Sequence, residues 1–249
     1  MKKFFLYLFL FLQAVHVSAQ IRENERLVYV ASYNMKGLMT QLAQVTMETK
    51  SANTSRSRFM HLKLSMSTFS RWDSYFRIRD VYESYVNPES LTPSLYRRDV
   101  AEGNYRIVEK YVYQPDGRTV TATVKQGKKP ERTGTFAKKP KSVDIVAVLY
   151  QLRSVDFSRY SVGQAVSIDI IFDEKELSAQ FKYMGKETVS VGKFGRMECY
   201  KLSLSANTDA LKGKDSNLIW LTADSKRIPV LAQFNIPVGN GKIEITEMN

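Results

Sequence analysis

The sequence is poor in the residues that most chemistry needs. Cys199 is the one cysteine among 249 residues, so neither a disulfide within the chain nor a thiolate metal cluster is available. Histidine is nearly as scarce, with only His16 and His61. Twelve glycines and seven prolines are too few for a collagen-like or low-complexity chain. Gly185-Lys186 and Gly213-Lys214 lack the preceding glycine of a phosphate loop, and no cofactor is implied. Acidic residues are outnumbered: 25 Asp and Glu against 37 Lys and Arg give a net charge of +12. No stretch beyond the first twenty residues is long and apolar enough to span a bilayer as a helix. What is present is a 43% hydrophobic and 25% charged chain, the balance of a protein that can bury a core.

The first residues read as an address. Lys2 and Lys3 form a basic start, Phe4 to Leu12 is unbroken apolar sequence, and Val17-Ser18-Ala19 offers small residues before Gln20. This is the pattern of a secretory signal peptide cleaved after Ala19. Its apolar core is about half the ~20 residues a membrane span needs. No cysteine lies near the cleavage point, so the expectation is a periplasmic protein and not a lipoprotein. Cleavage lowers the charge from +12 to +10 and removes His16. His61 then alternates with Met60, Leu62 and Leu64, which places it on the polar face of a strand, and no zinc site or nucleophile elbow is in view.

Alternation of polar and apolar residues with Tyr, Val, Ile and Thr enrichment recurs at hairpin spacing. It predicts strands near 26–35, 38–50, 56–66, 76–87, 91–101, 105–114, 118–125, 165–173, 176–190, 195–205, 217–223, 227–236 and 241–248. A short helix is expected around Thr68 to Ser74, and a second over Val143 to Arg153 with Asp144 in its first turn. The expected architecture is all-β and antiparallel, a barrel or two-lobed curled sheet with the 143–153 helix packed at one end. The chain divides into a signal peptide (1–19) and one exported domain (20–249). That domain has an N-terminal sheet at about 25–135, a basic linker at 125–141 and a C-terminal sheet at about 165–248.

Turn chemistry allows a register to be derived. A two-residue turn at Gly103-Asn104 sets Arg98 opposite Glu109 and Tyr96 opposite Tyr111. A turn at Asp116-Gly117 sets Tyr111 opposite Ala122. A three-residue turn at Pro88 to Ser90 would place Asp80 against Arg98 and Tyr82 against Tyr96. Two rows then cross one face: Asp80–Arg98–Glu109 and Tyr82–Tyr96–Tyr111. Val120, Ala122 and Val124 share that face, so the rows point inward. One guanidinium, with five donors, can serve two carboxylates. The rows read either as a buried polar network that pins register or as the lining of a ligand cavity. Asp80 and Glu109 as a glycosidase-like pair would need one raised pKa, which an arginine between them opposes. Cys199, Trp72 and Trp220 read as core residues.

The 125–141 segment holds Lys125, Lys128, Lys129, Arg132, Lys138, Lys139 and Lys141 against Glu131 alone. It reads as a solvated linker or as a contact for anionic lipid or acidic glycan; nucleic acid is not an expected partner of an exported protein.

Several ordered motifs carry a family resemblance. Arg79-Asp-Val-Tyr-Glu-Ser-Tyr-Val86 with Pro88, Tyr96-Arg-Arg-Asp99 and Glu102-Gly-Asn-Tyr-Arg106 come first. Leu149-Tyr150 with Arg153, Gly185-Lys-Glu-Thr188, Leu211-Lys-Gly-Lys214, Trp220-Leu-Thr222 with Asp224, Arg227-Ile-Pro-Val230 and Pro237-Val-Gly239 follow. The chain resembles, over about 25–247, the bacterial exported family called domain of unknown function 3108. The resemblance implies a β-rich periplasmic domain without an established activity, and a fold similar to lipoproteins of capsule polysaccharide export. The lipid-attachment cysteine of those lipoproteins is missing here. The expected function is non-catalytic: binding, transport or assembly of an amphiphile or glycan in the cell envelope. An adaptor docking on another envelope protein through a sheet edge is the alternative, and a glycan or cell-wall hydrolase comes third.

Overall fold

The computed structural model describes residues 21–35, 37–55, 57–206, 217–236 and 239–249. The expected signal peptide and the Leu211–Lys214 motif lie outside them. The first half holds β1 (Arg26–Met35), β2 (Leu38–Asn53), β3 (Arg58–Thr68), β4 (Arg79–Val86), β5 (Pro93–Glu102), β6 (Tyr105–Tyr113), β7 (Thr119–Gln126) and β8 (Arg132–Ala137). A two-residue strand, β9 (Val143–Asp144), leads into the helix α1 (Ile145–Ser154). Then come β10 (Ala165–Phe172), β11 (Lys175–Val191), β12 (Gly195–Ala206), β13 (Leu218–Thr222), β14 (Pro229–Ile236) and β15 (Gly239–Met248).

All fifteen strands form one sheet in the order β8-β7-β6-β5-β4-β3-β2-β1-β15-β14-β13-β12-β11-β10-β9. β1 and β15 are neighbours in its middle, while β8 and β9 are unjoined ends, so the curled sheet does not close. Two departures from the expected pattern are informative. The pairing is antiparallel except between β9 and β10, which run parallel because α1 supplies the crossover that a parallel pair requires. The segment read as a basic linker contains β8, paired to β7 through Val120–Phe136 and Ala122–Gly134. Its exposed Arg132, Thr133 and Thr135 hide the strand signal, since only Phe136 turns inward.

α1 packs against β3, β4 and β10 inside the curl and is buried on most sides, including Val146, Ala147, Val148 and Leu152. Asp144 is its N-cap, accepting from the Val146 and Ala147 amides at 3.0 and 2.8 Å and from Ser84 Oγ at 2.7 Å. It has no exposure, and burial raises its carboxyl to about 6. At the other end of the helix, Arg153 is fully buried and donates to both Glu25 oxygens at 2.6 and 2.9 Å. That pair ties the helix to the start of the sheet.

Cys199 and Trp220 lie in the core, as their strand positions suggest, with burial pushing the Cys199 thiol up to about 11. Trp72 does not. It is half-buried in a 3-10 turn of only Ser70–Trp72, all that forms of the short helix expected there. His61 occupies the polar outer face, stacked on Tyr85 with centroids 4.5 Å apart and 3.0 Å from a Glu83 oxygen.

Candidate functional site

The inward register from β5 to β7 follows the turns. Glu102 pairs with Tyr105 across Gly103, whose φ of +55° suits a residue without a side chain. Arg98 faces Glu109, Tyr96 faces Tyr111, and Tyr111 faces Ala122. The β4–β5 pairing differs from expectation. Tyr82 faces Arg98 and Ser84 faces Tyr96, because the connection is longer than three residues. Asn87 Oδ1 accepts from the Glu89 and Ser90 amides, and Leu91 is buried at φ +53°. Pro93 opens β5 without an N–H to give, and the ladder shifts register beside it, between Tyr85 and Val86. The slip is two residues, so every side chain keeps its face while its partner changes.

Asp80 therefore does not meet Arg98. The second carboxylate on Arg98 is Asp173, delivered by the β10–β11 turn, where Asp173 and Glu174 both have positive φ (+51° and +57°). Arg98 Nε lies 2.6 Å from Glu109 Oε2, an ion pair rather than an aligned hydrogen bond, and the guanidinium covers the Phe172 ring at 4.5 Å. The Tyr111 hydroxyl donates to Glu109 at 3.0 Å and accepts from the Glu174 amide at 2.9 Å. Arg132 of β8 grips the Glu174 carboxylate from outside. Burial works against the Arg98 charge, but Glu109 and then the other groups around it more than offset this and hold the guanidinium above its ordinary value. Tyr96, Arg98, Glu109 and Tyr111 are thus sealed under a docked turn, between 0 and 4% exposed.

Asp80 and Tyr82 share that inner face but lie outside the clamp. With Glu102 they line one side of a half-open cavity of about 340 Å³. Asp80 Oδ1 accepts from the Ala101 amide at 3.0 Å, and burial, with Glu102 beside it, raises its carboxyl to about 6. Burial also pushes the Tyr82 hydroxyl up to about 12. The remaining wall is almost wholly apolar: Met47 and Leu64 from the sheet, Leu149 and Leu152 from α1, Leu221 and Ile243 from the far strands. Tyr29 also lines it, and its hydroxyl is buried with no hydrogen-bond partner. From sequence, Glu102 stands out only as part of a family motif and Tyr29 not at all. The inward alternation of β3 pointed toward this wall, but its other half comes from β13 to β15, more than a hundred residues away.

The basic residues are dispersed. Arg132 and Lys139 join the two ends of the sheet, Lys139 Nζ reaching Asp169 at 2.9 Å and Glu176 at 3.6 Å, whereas the buried Lys138 ammonium donates locally to the Lys139 and Pro140 carbonyls. Lys125 donates to the Lys129 carbonyl, while Lys128 and Lys141 are exposed. Among the described residues no cluster of three or more potential metal ligands occurs, and no helix is long and apolar enough to cross a membrane.

The model of the family described as "Protein of unknown function (DUF3108)" matches residues 28–246. No curated protein matches the chain. Among solved structures, it is similar to a beta-barrel-like protein of domain of unknown function DUF1849 from Brucella abortus. That similarity has a TM-score of 0.58 at 11% identity and covers 92% of this chain and 99% of that one. A protein with a YmcC-like fold from Bacteroides fragilis gives a TM-score of 0.40 at 5% identity, covering 93% of this chain and 98% of that one.

Proposed function

The chain belongs to the family of unknown function DUF3108, and with no activity to inherit we propose its role from its own interior: an exported envelope protein that binds an amphiphile without catalysis. The observation that carries this reading is the cavity of about 340 Å³ under α1, within the size range of small-molecule sites. Its apolar wall suits an alkyl or acyl chain better than a glycan, which would need many more hydrogen-bonding groups. Asp80 and Glu102 select a polar end that donates hydrogen bonds, such as a hydroxyl or amine, and disfavour a carboxylate. Tyr82 borders the same end, and the unpartnered Tyr29 hydroxyl offers a further polar contact. Tyr96, Arg98, Glu109 and Tyr111 act in this reading as the anchor of the β10–β11 turn.

Export rests on the pattern of residues 1–19. An intact mass beginning at Gln20 for periplasmic material is the expected outcome; retention of residues 1–19 would contradict it. Binding is tested by titrating the protein into N-phenylnaphthylamine and displacing the dye with a long-chain alcohol or amine. Enhanced emission that those ligands reverse, and that Leu149→Phe weakens at least tenfold by filling the cavity, is expected. No enhancement by the parent protein would sink the reading.

One observation favours a second role. β8 presents an unpaired outer edge with Arg132 to Thr135 exposed, onto which an extended partner segment could add. A partner captured through that edge would be lost on Thr133→Pro while dye binding stayed unchanged.

A further inference from the structure

A second cavity, of about 500 Å³, opens at one end of the curl and abuts the first: Met66 lines both. Its walls are Ala31, Ala43, Ile78, Trp72 and Phe234, with Tyr75 and Phe76 at the rim. Apart from Val162, the large apolar side chains exposed among the described residues lie at or near this rim. Tyr75 is 82% exposed, Phe76 52%, Leu38 71%, Met39 45% and Met35 42%. Met35, Tyr75 and Phe76 line the opening itself. Leu38 and Met39 pair with Met35 and Asn34 across the β1–β2 turn, and Phe76 lies against Gly103, beside the exposed Tyr105. Soluble surfaces rarely group such residues around an apolar opening without using them.

The fully exposed charges of the 69–79 segment at the rim are basic. Arg71 and Arg77 are exposed on the same segment, and the acid between them, Asp73, is held by Arg79 at 2.5 Å. Aromatic rings beside arginines are the side chains that settle at the boundary between headgroups and acyl chains of an anionic bilayer. Met66, unbranched and adaptable, separates the outer from the inner space.

We propose that this end is a lipid-docking mouth: Leu38, Tyr75 and Phe76 insert into the surface of an anionic bilayer, and an acyl chain passes by Met66 into the inner cavity. The docking stands on the rim; only what passes through rests on the amphiphile reading above. The seat differs from the basic 125–141 segment, whose Arg132 and Lys139 are committed to Glu174, Asp169 and Glu176.

The test is flotation of the chain with vesicles of pure phosphatidylcholine or with a third phosphatidylglycerol. Binding to the anionic vesicles, weakened by salt and reduced at least tenfold by Tyr75→Ser with Phe76→Ser, is expected. Both residues are exposed, so the variant keeps its fold, which a melting curve verifies. Brominated lipid should quench the mouth tryptophan but not the buried Trp220, so Trp72→Phe should remove most of the quenching. Unchanged flotation of the rim variant, or its loss in a Lys128→Gln, Lys129→Gln variant instead, overturns the proposal. So does self-association that Phe76→Ser dissolves in a protein that does not float, since the rim would then cover a second copy. Dye binding separates the two ideas. Leu149→Phe should lose the dye and still float, whereas a parent that floats without ever taking up dye refutes the amphiphile reading alone.

Discussion

Arg98 and Asp80 lie on adjacent strands and the same inner face, yet their surroundings solve opposite problems. Arg98 is ionised, dry and gripped by Glu109 and Asp173. Asp80 has an amide, a neighbouring acid and an apolar void, and burial pushes it toward its neutral form. The same division recurs around α1, where Arg153 is charged against Glu25 and Asp144 drifts toward neutrality over a helix N-terminus. In this interior Arg98 and Arg153 stay charged as clamps between chain segments, while burial pushes the carboxyls of Asp80, Asp144 and Glu109 upward.

The largest test of that contrast is Arg98→Met. Glu109 would keep only the Tyr111 hydroxyl, and breaking a buried pair this way costs about 3–5 kcal/mol. Urea unfolding at neutral pH should show the loss, and mild acid should recover part of it as Glu109 protonates. A melting temperature within a degree or two of the parent would mean that the docked turn does not depend on this arginine.

Next in size is the response to pH. Asp80 and Asp144 have folded pKa values raised to about 6, so the folded state binds more protons than the unfolded one between about pH 4 and 6. Their contribution is full below that window and fades as pH rises through it. Asp73, Asp116 and Asp169 are held below the ordinary range by their hydrogen bonds, so they give up stability only in stronger acid. The protein should therefore melt higher near pH 5 than at pH 7.5; the reverse order would contradict the assignment.

Asp80→Asn should be smaller. It preserves an acceptor for the Ala101 amide and should shift stability by no more than about 1 kcal/mol at neutral pH. It should flatten the pH slope and weaken binding of an amine more than of an alcohol. The smallest effect belongs to Lys128→Gln with Lys129→Gln, within about 0.5 kcal/mol by thermal melting, because neither ammonium is buried.

The β5–β7 register was readable because Gly103 and Asp116-Gly117 are strong local turn signals and Val120, Ala122 and Val124 declare the inner face. The β4–β5 slip was not, since it depends on Leu91 adopting a positive φ against its own preference so that its side chain can be buried. Chemical logic asked for one arginine between two carboxylates, and that is what stands there. The second acid is seventy-five residues from Arg98, beyond any local pattern. The cavity was hidden for the same reason: each strand shows its inward residues, but nothing local says which of them leave a space.

The seam between β1 and β15 has a temporal consequence. Arg26 and Asn249 exchange backbone hydrogen bonds at 3.1 and 3.0 Å, so the middle of the sheet is built from opposite ends of the described chain. A polypeptide emerging N-terminus first can make the β2-to-β8 ladders early, but β1 waits beside an empty place until the final strand arrives. Such distant pairings make folding slow. In a chain made N-terminus first, this seam stays open until β15 is available to pair with β1.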